Sequence, residues 1–515
     1  MEDLKVCLIN DSFPPVIDGV ATAVKNYAQY ISAEHGSAAV LTPYYPEADD
    51  SAWPFPVYRY PSLDLTRQLG YRAGIPFAPE LMGRVESAGF QILHSHCPVS
   101  STYLARSLRD KLDLPLVLTY HTKFDIDIAN ALRSKVLQTE ALRLLVRNID
   151  ACDEVWTVSR GAGESLRSLG FDKRYSVMPN GVDFPRGRVS DEAVRRETGS
   201  YDLPEGLPVF LFVGRMMWYK GIRIILDALK TLDDEGAQFR MVFVGGGGDR
   251  EEILAYAREL GLMGKTVFVE PIRDRERIRA WYCRADLFLF PSTFDTNGLV
   301  VREAAACALP SVLVRGSCAA EDSSDGVDGF LIEEDAASMA ACLRRLLTAP
   351  EAVCRAGEAA QRDLYLSWED AVSNACEGYH GVIDNYRAGR YPSHRGREDE
   401  LFHDLAQLMD WADGLDRRRL GAELHSRSWA FSELAAMTER RREELRARSE
   451  ELRARTGEEL RQRGEAIRAR SEELRARSEE LRLRRQEEIR ARSEELRQKG
   501  EELRQNIEER LDRFL

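Results

Sequence analysis

Two carboxylates that lie eight residues apart mark the stretch of this sequence with the clearest chemical character. Asp295 follows the apolar run Ala285 to Phe290, which is short and apolar enough to be a buried strand. Glu303 lies within the stretch Leu299 to Ala308, which predicts a helix. Two acids at the carboxyl end of a strand suit recognition of the hydroxyl groups of a sugar. An ordinary strand–loop–helix corner with two solvated acids is the alternative interpretation.

An anion seat is predicted between these two acids. The backbone amides of Asn297, Gly298 and Leu299 would lie at the helix N-terminus, where unpaired N–H groups and the helix dipole favour negative charge. Combined with the acids, this seat indicates a ligand in which a sugar is joined to a phosphate.

A second loop supplies positive charge. Arg215 and Lys220 lie between Gly214 and Gly221, after the apolar run Val209 to Val213 and just before a predicted helix. Two cations before a helix N-terminus suit a diphosphate. Solvated loop charges are the alternative.

Three loops in the first half of the chain also follow predicted strands. One carries Gly19, where the backbone can approach a ligand closely or simply form a turn. The others carry His94 with His96, and His121. A single histidine after a strand is more often a structural hydrogen-bonding group than a catalyst, but two strand ends with histidine favour function more.

The elements that must position these residues alternate between strand and helix. Such alternation predicts α/β architecture with parallel sheets, in which ligands bind at the carboxyl ends of strands. We expect a first α/β domain over residues 1–190 and a second over 205–368, joined by a polar segment. A helix over about 369–388 is expected to pack back onto the first domain, and residues 395–440 form a helical linker region.

Composition restricts the function classes. The net charge of the 515 residues is −13, and the last 76 residues contribute about +3, so the body of the chain is strongly acidic. An acidic body argues against nucleic-acid binding. Nine cysteines without close pairs fit reduced thiols, and the first ten residues lack a signal-peptide pattern. We expect a cytoplasmic protein, with peripheral contact at the inner membrane face as an option.

Residues 441–515 form a charged repeat in which one large apolar residue recurs every seven or eight positions. Three such steps span 22 residues, or about 3.67 residues per turn, which predicts a long helix or a weak coiled coil. The repeat has no catalytic residues. A solvated spacer or a self-association arm is favoured over a membrane-binding role.

Residues 1–388 resemble the family-4 retaining glycosyltransferases of the GT-B fold, and especially the bacterial enzymes that glucosylate diacylglycerol. The resemblance rests on motifs in a specific order: Pro-Pro-Val-Ile-Asp-Gly19-Val, His94-Ser-His96, Tyr-His121-Thr, Pro-Asn180-Gly-Val-Asp, Gly-Arg215 with Lys220-Gly, and Asp295 with Glu303. It implies two Rossmann-like domains that face each other across a cleft.

The resemblance also implies roles. Arg215 and Lys220 would stabilise the departing diphosphate, assisted by the amides near Gly298 and by the Gly19 loop. His121 and Asp295 would contact the donor sugar, and Glu303 would bind the ribose. The donor would be a nucleotide-diphosphate sugar, with UDP-glucose favoured, and neither a metal nor a cofactor would be needed.

Two departures from the family pattern concern the substrates. The family commonly has glutamate where Asp295 stands, so the arm is shorter by about one C–C bond, ~1.5 Å. Asp18 stands where a second glycine is common. A lipid acceptor is our first expectation for the transferred hexose, and a soluble sugar or polysaccharide precursor is the second. A catalytically idle scaffold whose tail recruits a partner is the alternative from another class.

Overall fold

The computed structural model describes residues 3–391 except 17, 65, 67–71, 77, 122–123, 125–127 and 129–134, together with 494 and 498–500. The expected linker region at 395–440 and nearly all of the repeat at 441–515 lie outside the described residues. The chain divides into two compact units, residues 1–419 and 420–515.

Two parallel sheets form the framework of this unit. Their strands are β1 (Leu4–Ile9), β2 (Gly36–Pro43), β3 (Val57–Tyr60), β6 (Ile92–Ser95), β7 (Leu116–Tyr120), β8 (Glu154–Thr157), β9 (Ser176–Val177), β10 (Val209–Val213), β11 (Arg240–Val244), β12 (Thr266–Val269), β13 (Leu287–Phe290), β14 (Ser311–Val314) and β15 (Gly329–Ile332). A separate antiparallel pair consists of β4 (Ser62–Leu63) and β5 (Ala73–Gly74). The first sheet has the order β3-β2-β1-β6-β7-β8-β9, and the second has the order β12-β11-β10-β13-β14-β15. Both orders reverse direction beside the first strand of the sheet, which opens a crevice there for a ligand.

Helices connect the strands and cover both sheets. The α-helices are Gly19–Tyr30, Pro79–Ala88, Ser100–Leu112, Lys135–Asp150, Arg160–Ser168, Asp191–Thr198, Ile222–Asp234, Arg250–Glu259, Arg275–Arg284, Leu299–Ala306, Ala336–Leu347, Pro350–Asp363 and Trp368–Arg387. None of the described helices is long and apolar enough to cross a bilayer. The helix that begins at Leu299 ends at Ala306, two residues earlier than the sequence suggests, and Ala308 adopts a positive φ of 56°.

The helix Trp368–Arg387 leaves the second sheet and packs on the first. Trp368 and Tyr379 are buried in the same apolar cluster as Val6 of β1 and Trp156 of β8. Gly378 allows this approach, because a Cβ there would meet the Trp156 ring at 2.9 Å.

The boundary between the two cores falls early in the polar segment. Val182 and Phe184 are already packed in the core of the second sheet, ahead of residue 190. The helix Asp191–Thr198, which the sequence does not suggest, packs against the helix Arg275–Arg284.

Candidate active site

A cavity of about 1200 Å³ lies between the carboxyl ends of the two sheets. Its walls are the segments that follow β1, β6, β7, β8, β10 and β13. The residues that the sequence analysis discussed and that line it are Asp18, Gly19, His96, His121, Asn180, Lys220, Asp295, Asn297, Gly298 and Leu299. Residues from both halves of the chain therefore meet in one place.

The three histidines of the first sheet have different surroundings. His94 is enclosed between two hydroxyls, with Nδ1 2.6 Å from the Tyr379 hydroxyl and Nε2 2.7 Å from Thr119 Oγ1. His96 Nδ1 lies 3.0 Å from His121 Nε2. Desolvation by burial lowers the pKa of His94 and His96 well below the usual value and that of His121 to about 3. All three imidazoles are therefore neutral near pH 7. His94 has a structural position, whereas His121 faces the cavity.

An ion pair forms the opposite wall. Lys220 Nζ lies 2.5 Å from Asp295 Oδ1, and Ser292 Oγ donates to Asp295 Oδ2 at 2.5 Å. Lys220 ends the short 3-10 helix Trp218–Lys220 and is almost fully buried, with 6 % of its surface exposed. The carboxylate and the ammonium group therefore reach the cavity as one hydrogen-bonded unit.

The predicted anion seat has the expected helix terminus. Gly298 precedes the helix Leu299–Ala306 in a left-handed conformation, with φ of 58°. A Cβ at this position would lie 3.0 Å from the Ala319 backbone, so glycine is required for two reasons. The first turn of this helix therefore borders the cavity, which Leu299 and Val300 line.

Glu303 and Arg215 lie outside the lining of this cavity. Glu303 is nearly buried; Arg275 Nη2 donates to its Oε1 at 2.6 Å, and the Tyr282 hydroxyl donates to its Oε2 at 2.9 Å. A carboxylate has about four lone-pair sites, so two sites remain for a ligand hydroxyl. Arg215 is exposed at the loop that follows β10.

Asp18 has a local structural role. Its carboxylate accepts a hydrogen bond of 2.7 Å from the Ala21 N–H and caps the helix Gly19–Tyr30. An N-cap acceptor of this kind is worth about 1 kcal/mol. A Cβ at Gly19 would meet no atom within 4 Å, so this backbone is open to a ligand.

Contacts between the two halves close one end of the cavity. Ser159 Oγ donates to the Thr296 carbonyl at 2.5 Å, and Thr296 Oγ1 donates to the His121 carbonyl at 2.9 Å. The amides of Arg160 and Gly161, at the start of the helix Arg160–Ser168, donate to the Glu321 carboxylate at 2.5 and 2.8 Å. None of these contacts could be read from the sequence.

Asp11 is a further site residue that the sequence analysis missed. It follows β1, lines the cavity and accepts hydrogen bonds from the Ser101 N–H at 2.8 Å and the Tyr60 hydroxyl at 3.3 Å. Burial raises the pKa of its carboxyl group. An acid immediately after the first strand of a parallel sheet is a signal that could have located it.

Within the described part of the chain, no three His, Cys, Asp or Glu side chains converge as metal ligands. The prediction that the reaction needs no metal stays a prediction.

Two family models match in tandem. Residues 17–186 match "Glycosyltransferase Family 4", and residues 194–363 match "Glycosyl transferases group 1". The chain is 30% identical over 322 residues to D-inositol 3-phosphate glycosyltransferase 2 of Catenulispora acidiphila, covering 59% of this chain and 74% of that protein. It is 22% identical over 357 residues to the alpha-monoglucosyldiacylglycerol synthase of Streptococcus pneumoniae, covering 68% and 79%.

Solved structures share the fold at lower identity. Sucrose-phosphate synthase from Thermosynechococcus elongatus superposes with a TM-score of 0.58 at 20% identity, covering 74% of this chain and 99% of that one. The Anabaena protein HepE in complex with UDP gives 0.58 at 18% identity, covering 73% and 100%.

Two parallel-sheet domains that face each other across a cleft define the GT-B class of glycosyltransferases. The chain belongs to the family-4 glycosyltransferases within that class. It is therefore a transferase, as the motifs in its sequence indicated.

Proposed function

We propose that the protein transfers a glucosyl residue from UDP-glucose to a hydroxyl group of a lipid acceptor, with retention of configuration and without a metal. The observation that carries this proposal is the single cavity that Lys220, Asp295, His121 and a helix N-terminus without a side-chain cap line together. A donor with a diphosphate needs the cation and the amides, and its sugar needs the acid and the imidazole.

The positive charge and the amide groups of the site support the assignment of the donor. Cleavage of a sugar–diphosphate bond leaves negative charge on the departing phosphate, which Lys220, Arg215 and the amides at Gly298 would stabilise. His121 and Asp295 would hold the hexose, and Glu303 would use its free lone pairs for the ribose. Related folds support a uridine nucleotide, since HepE has been solved with UDP and with UDP-glucose.

The residues of the first domain that line the cavity support the assignment of the acceptor. Apolar side chains line the cavity there: Val99, Phe124, Ile128, Leu144 and Leu145. Among the described lining residues only Lys220 is cationic, and it is paired with Asp295. A phosphorylated acceptor such as inositol 3-phosphate would find no free cation among these described residues, whereas a neutral amphipathic alcohol would find apolar surface. The similarity to a monoglucosyldiacylglycerol synthase supports the same choice.

The donor is tested first by a thermal-shift panel with UDP, GDP and ADP. A bound ligand raises the melting temperature in proportion to RT ln(1 + [L]/Kd), so UDP should give the largest increase. An equal or larger increase with GDP or ADP would contradict the uridine assignment.

The acceptor is tested by incubating the full chain with UDP-glucose and either diacylglycerol in detergent micelles or inositol 3-phosphate. We expect glucosylated diacylglycerol with an α-anomeric proton signal in its NMR spectrum. Transfer to inositol 3-phosphate alone would overturn the lipid acceptor, and a β-anomeric product would overturn retention.

A further inference from the structure

The strongest unassigned feature of the site is the buried pair of His96 and His121. His96 has 1 % of its surface exposed and packs between the rings of Tyr27, His94 and His121. Its Nδ1 makes the 3.0 Å contact with His121 Nε2, while its Nε2 has no hydrogen-bond partner among the described residues.

The two rings must share one hydrogen between them. Two neutral imidazoles carry one N–H each, and a hydrogen bond joins an N–H to a lone pair. If His121 Nε2 were the donor, His96 Nδ1 would be the acceptor and His96 would carry its hydrogen on Nε2. That N–H would be buried without an acceptor, which native proteins avoid more strictly than a bare acceptor.

The reverse arrangement leaves no buried N–H unpaired. His96 then donates from Nδ1 to the lone pair of His121 Nε2, and its own Nε2 is a bare nitrogen among aromatic rings. His121, with Nε2 occupied as an acceptor, must carry its hydrogen on Nδ1. The bond made by one ring nitrogen thus decides the state of the other.

We propose that His96 is a positioning residue that fixes His121 as the Nδ1–H tautomer, so that His121 offers the donor sugar a hydrogen-bond donor rather than a base. The mechanistic half of this proposal rests on the proposed function, because it needs a sugar in the cavity. The tautomer itself does not depend on any substrate.

The tautomer can be read directly by NMR of the full chain labelled with ¹⁵N-histidine. Long-range ¹H–¹⁵N spectra separate protonated from unprotonated ring nitrogens, and His121→Gln and His96→Asn assign the two signals. We expect both residues to show a protonated Nδ1 and a bare Nε2. A protonated Nε2 on His121 would overturn the proposal even if the enzyme were fully active.

Two substitutions of His96 separate positioning from packing. In His96→Asn, the side-chain amide places an N–H where Nδ1 stands. The Nε2 atom that this substitution removes has no hydrogen-bond partner among the described residues. In His96→Gln, the amide reaches the position of Nε2 and leaves the Nδ1 position empty. We expect the Asn variant to keep kcat within about threefold of wild type and the Gln variant to lose about tenfold, the value of one neutral hydrogen bond. The KM for the nucleotide sugar should change little in either variant.

A control substitution tests whether any histidine change has this effect. His380→Gln lies on the helix Trp368–Arg387, outside the lining of the cavity, and should leave kcat unchanged. Equal kcat losses in His96→Asn and His96→Gln, at matched melting temperatures, would show that His96 only fills space. If wild type turned over no nucleotide sugar, the proposed function would fail while the NMR result still decided the tautomer.

Discussion

At the scale of single residues, the site depends on charges that the fold has already paired. Lys220 and Asp295 neutralise each other across 2.5 Å, and Ser292 holds the second carboxylate oxygen. We therefore expect the two groups to lose little freedom when a substrate binds, as preorganised polar groups do in transfer reactions.

We expect Lys220→Ala to lower kcat/KM about 10²–10³-fold, the typical effect of removing one preorganised donor from a site of developing charge. The measurement is initial-rate kinetics with the nucleotide sugar that wild type uses. Lys230→Ala is the matched control, because Lys230 lies on the helix Ile222–Asp234, outside the lining of the cavity, and forms an ion pair with Asp234. A Lys220→Ala variant as active as the control would contradict the site.

The length of the Asp295 side chain gives a second test. Glutamate at this position would add about 1.5 Å, and the carboxylate could no longer keep both contacts of 2.5 Å without moving. We therefore expect Asp295→Glu to lower kcat by about tenfold, as for one lost hydrogen bond. Ser292→Ala, which removes one of the two contacts and leaves the Lys220 contact in place, should lower kcat by a similar factor. Wild-type activity in Asp295→Glu would mean that the shorter arm is not tuned to the donor.

At the scale of secondary-structure elements, two helices tie the halves of the first unit together. The helix Arg160–Ser168 from the first half begins against the Glu321 carboxylate of the second half, which satisfies two of its unpaired amides. The helix Trp368–Arg387 returns from the second half and packs on the first sheet.

Removal of the Glu321 carboxylate should break the contact that it makes with the N-terminus of the helix Arg160–Ser168. In Glu321→Ala, we expect the amide hydrogens of Arg160 and Gly161 to exchange with solvent at least about tenfold faster, since each loses its acceptor. Hydrogen–deuterium exchange with mass spectrometry measures this. Glu164→Ala on the exposed face of the same helix should leave exchange at 160–161 unchanged, and equal exchange in both variants would contradict the contact.

Two glycines on the helix Trp368–Arg387 test its packing. Gly381 has open space where a Cβ would lie, so Gly381→Ala should raise the free energy of unfolding by about 0.5–1 kcal/mol through helix propensity. At Gly378 a Cβ would lie 2.9 Å from Trp156, so Gly378→Ala should lower it by about 1–3 kcal/mol. Urea titrations of the two variants compare them. Stabilisation by both substitutions would show that the helix does not press on the first sheet.

At the scale of the whole molecule, burial of three neutral histidines makes stability depend on pH. Their folded pKa values lie below the ordinary 6.5, so the unfolded chain binds more protons as the pH falls below that value. The stability that comes from keeping these rings neutral is fully present above pH 6.5 and is lost progressively as the pH falls toward 3. Each histidine changes the free energy of unfolding by about 1.4 kcal/mol per pH unit, so the three together change it by roughly 4 kcal/mol per pH unit.

Urea titrations at pH 7.5, 6.0 and 5.0 measure this slope in a range where unfolded carboxylates are largely ionised. We expect a steep loss of stability between pH 6 and 5 and a slope about one third smaller in His96→Asn. A constant midpoint across this range would show that the three rings are accessible to protons in the folded state.

The sequence alone determined the alternation of strands and helices and the chemical types of the candidate site residues. The apolar runs at β1, β10 and β13 are continuous because strands of a parallel sheet are buried on both faces. Short or edge strands carry weaker sequence signals: β3 and β15 lie at sheet edges, and β9 has two residues. Several motif residues line the same cavity because loops that follow parallel strands meet at one edge.

Only the tertiary structure decided which of these residues touch. Lys220 pairs with Asp295 across 75 positions of sequence, and Gly161 meets Glu321 across 160. His96 and His121 follow adjacent strands, yet the sequence did not show that one ring donates to the other. Local sequence patterns report burial and backbone conformation, whereas these contacts depend on how two sheets and their crossover helices pack against each other in three dimensions.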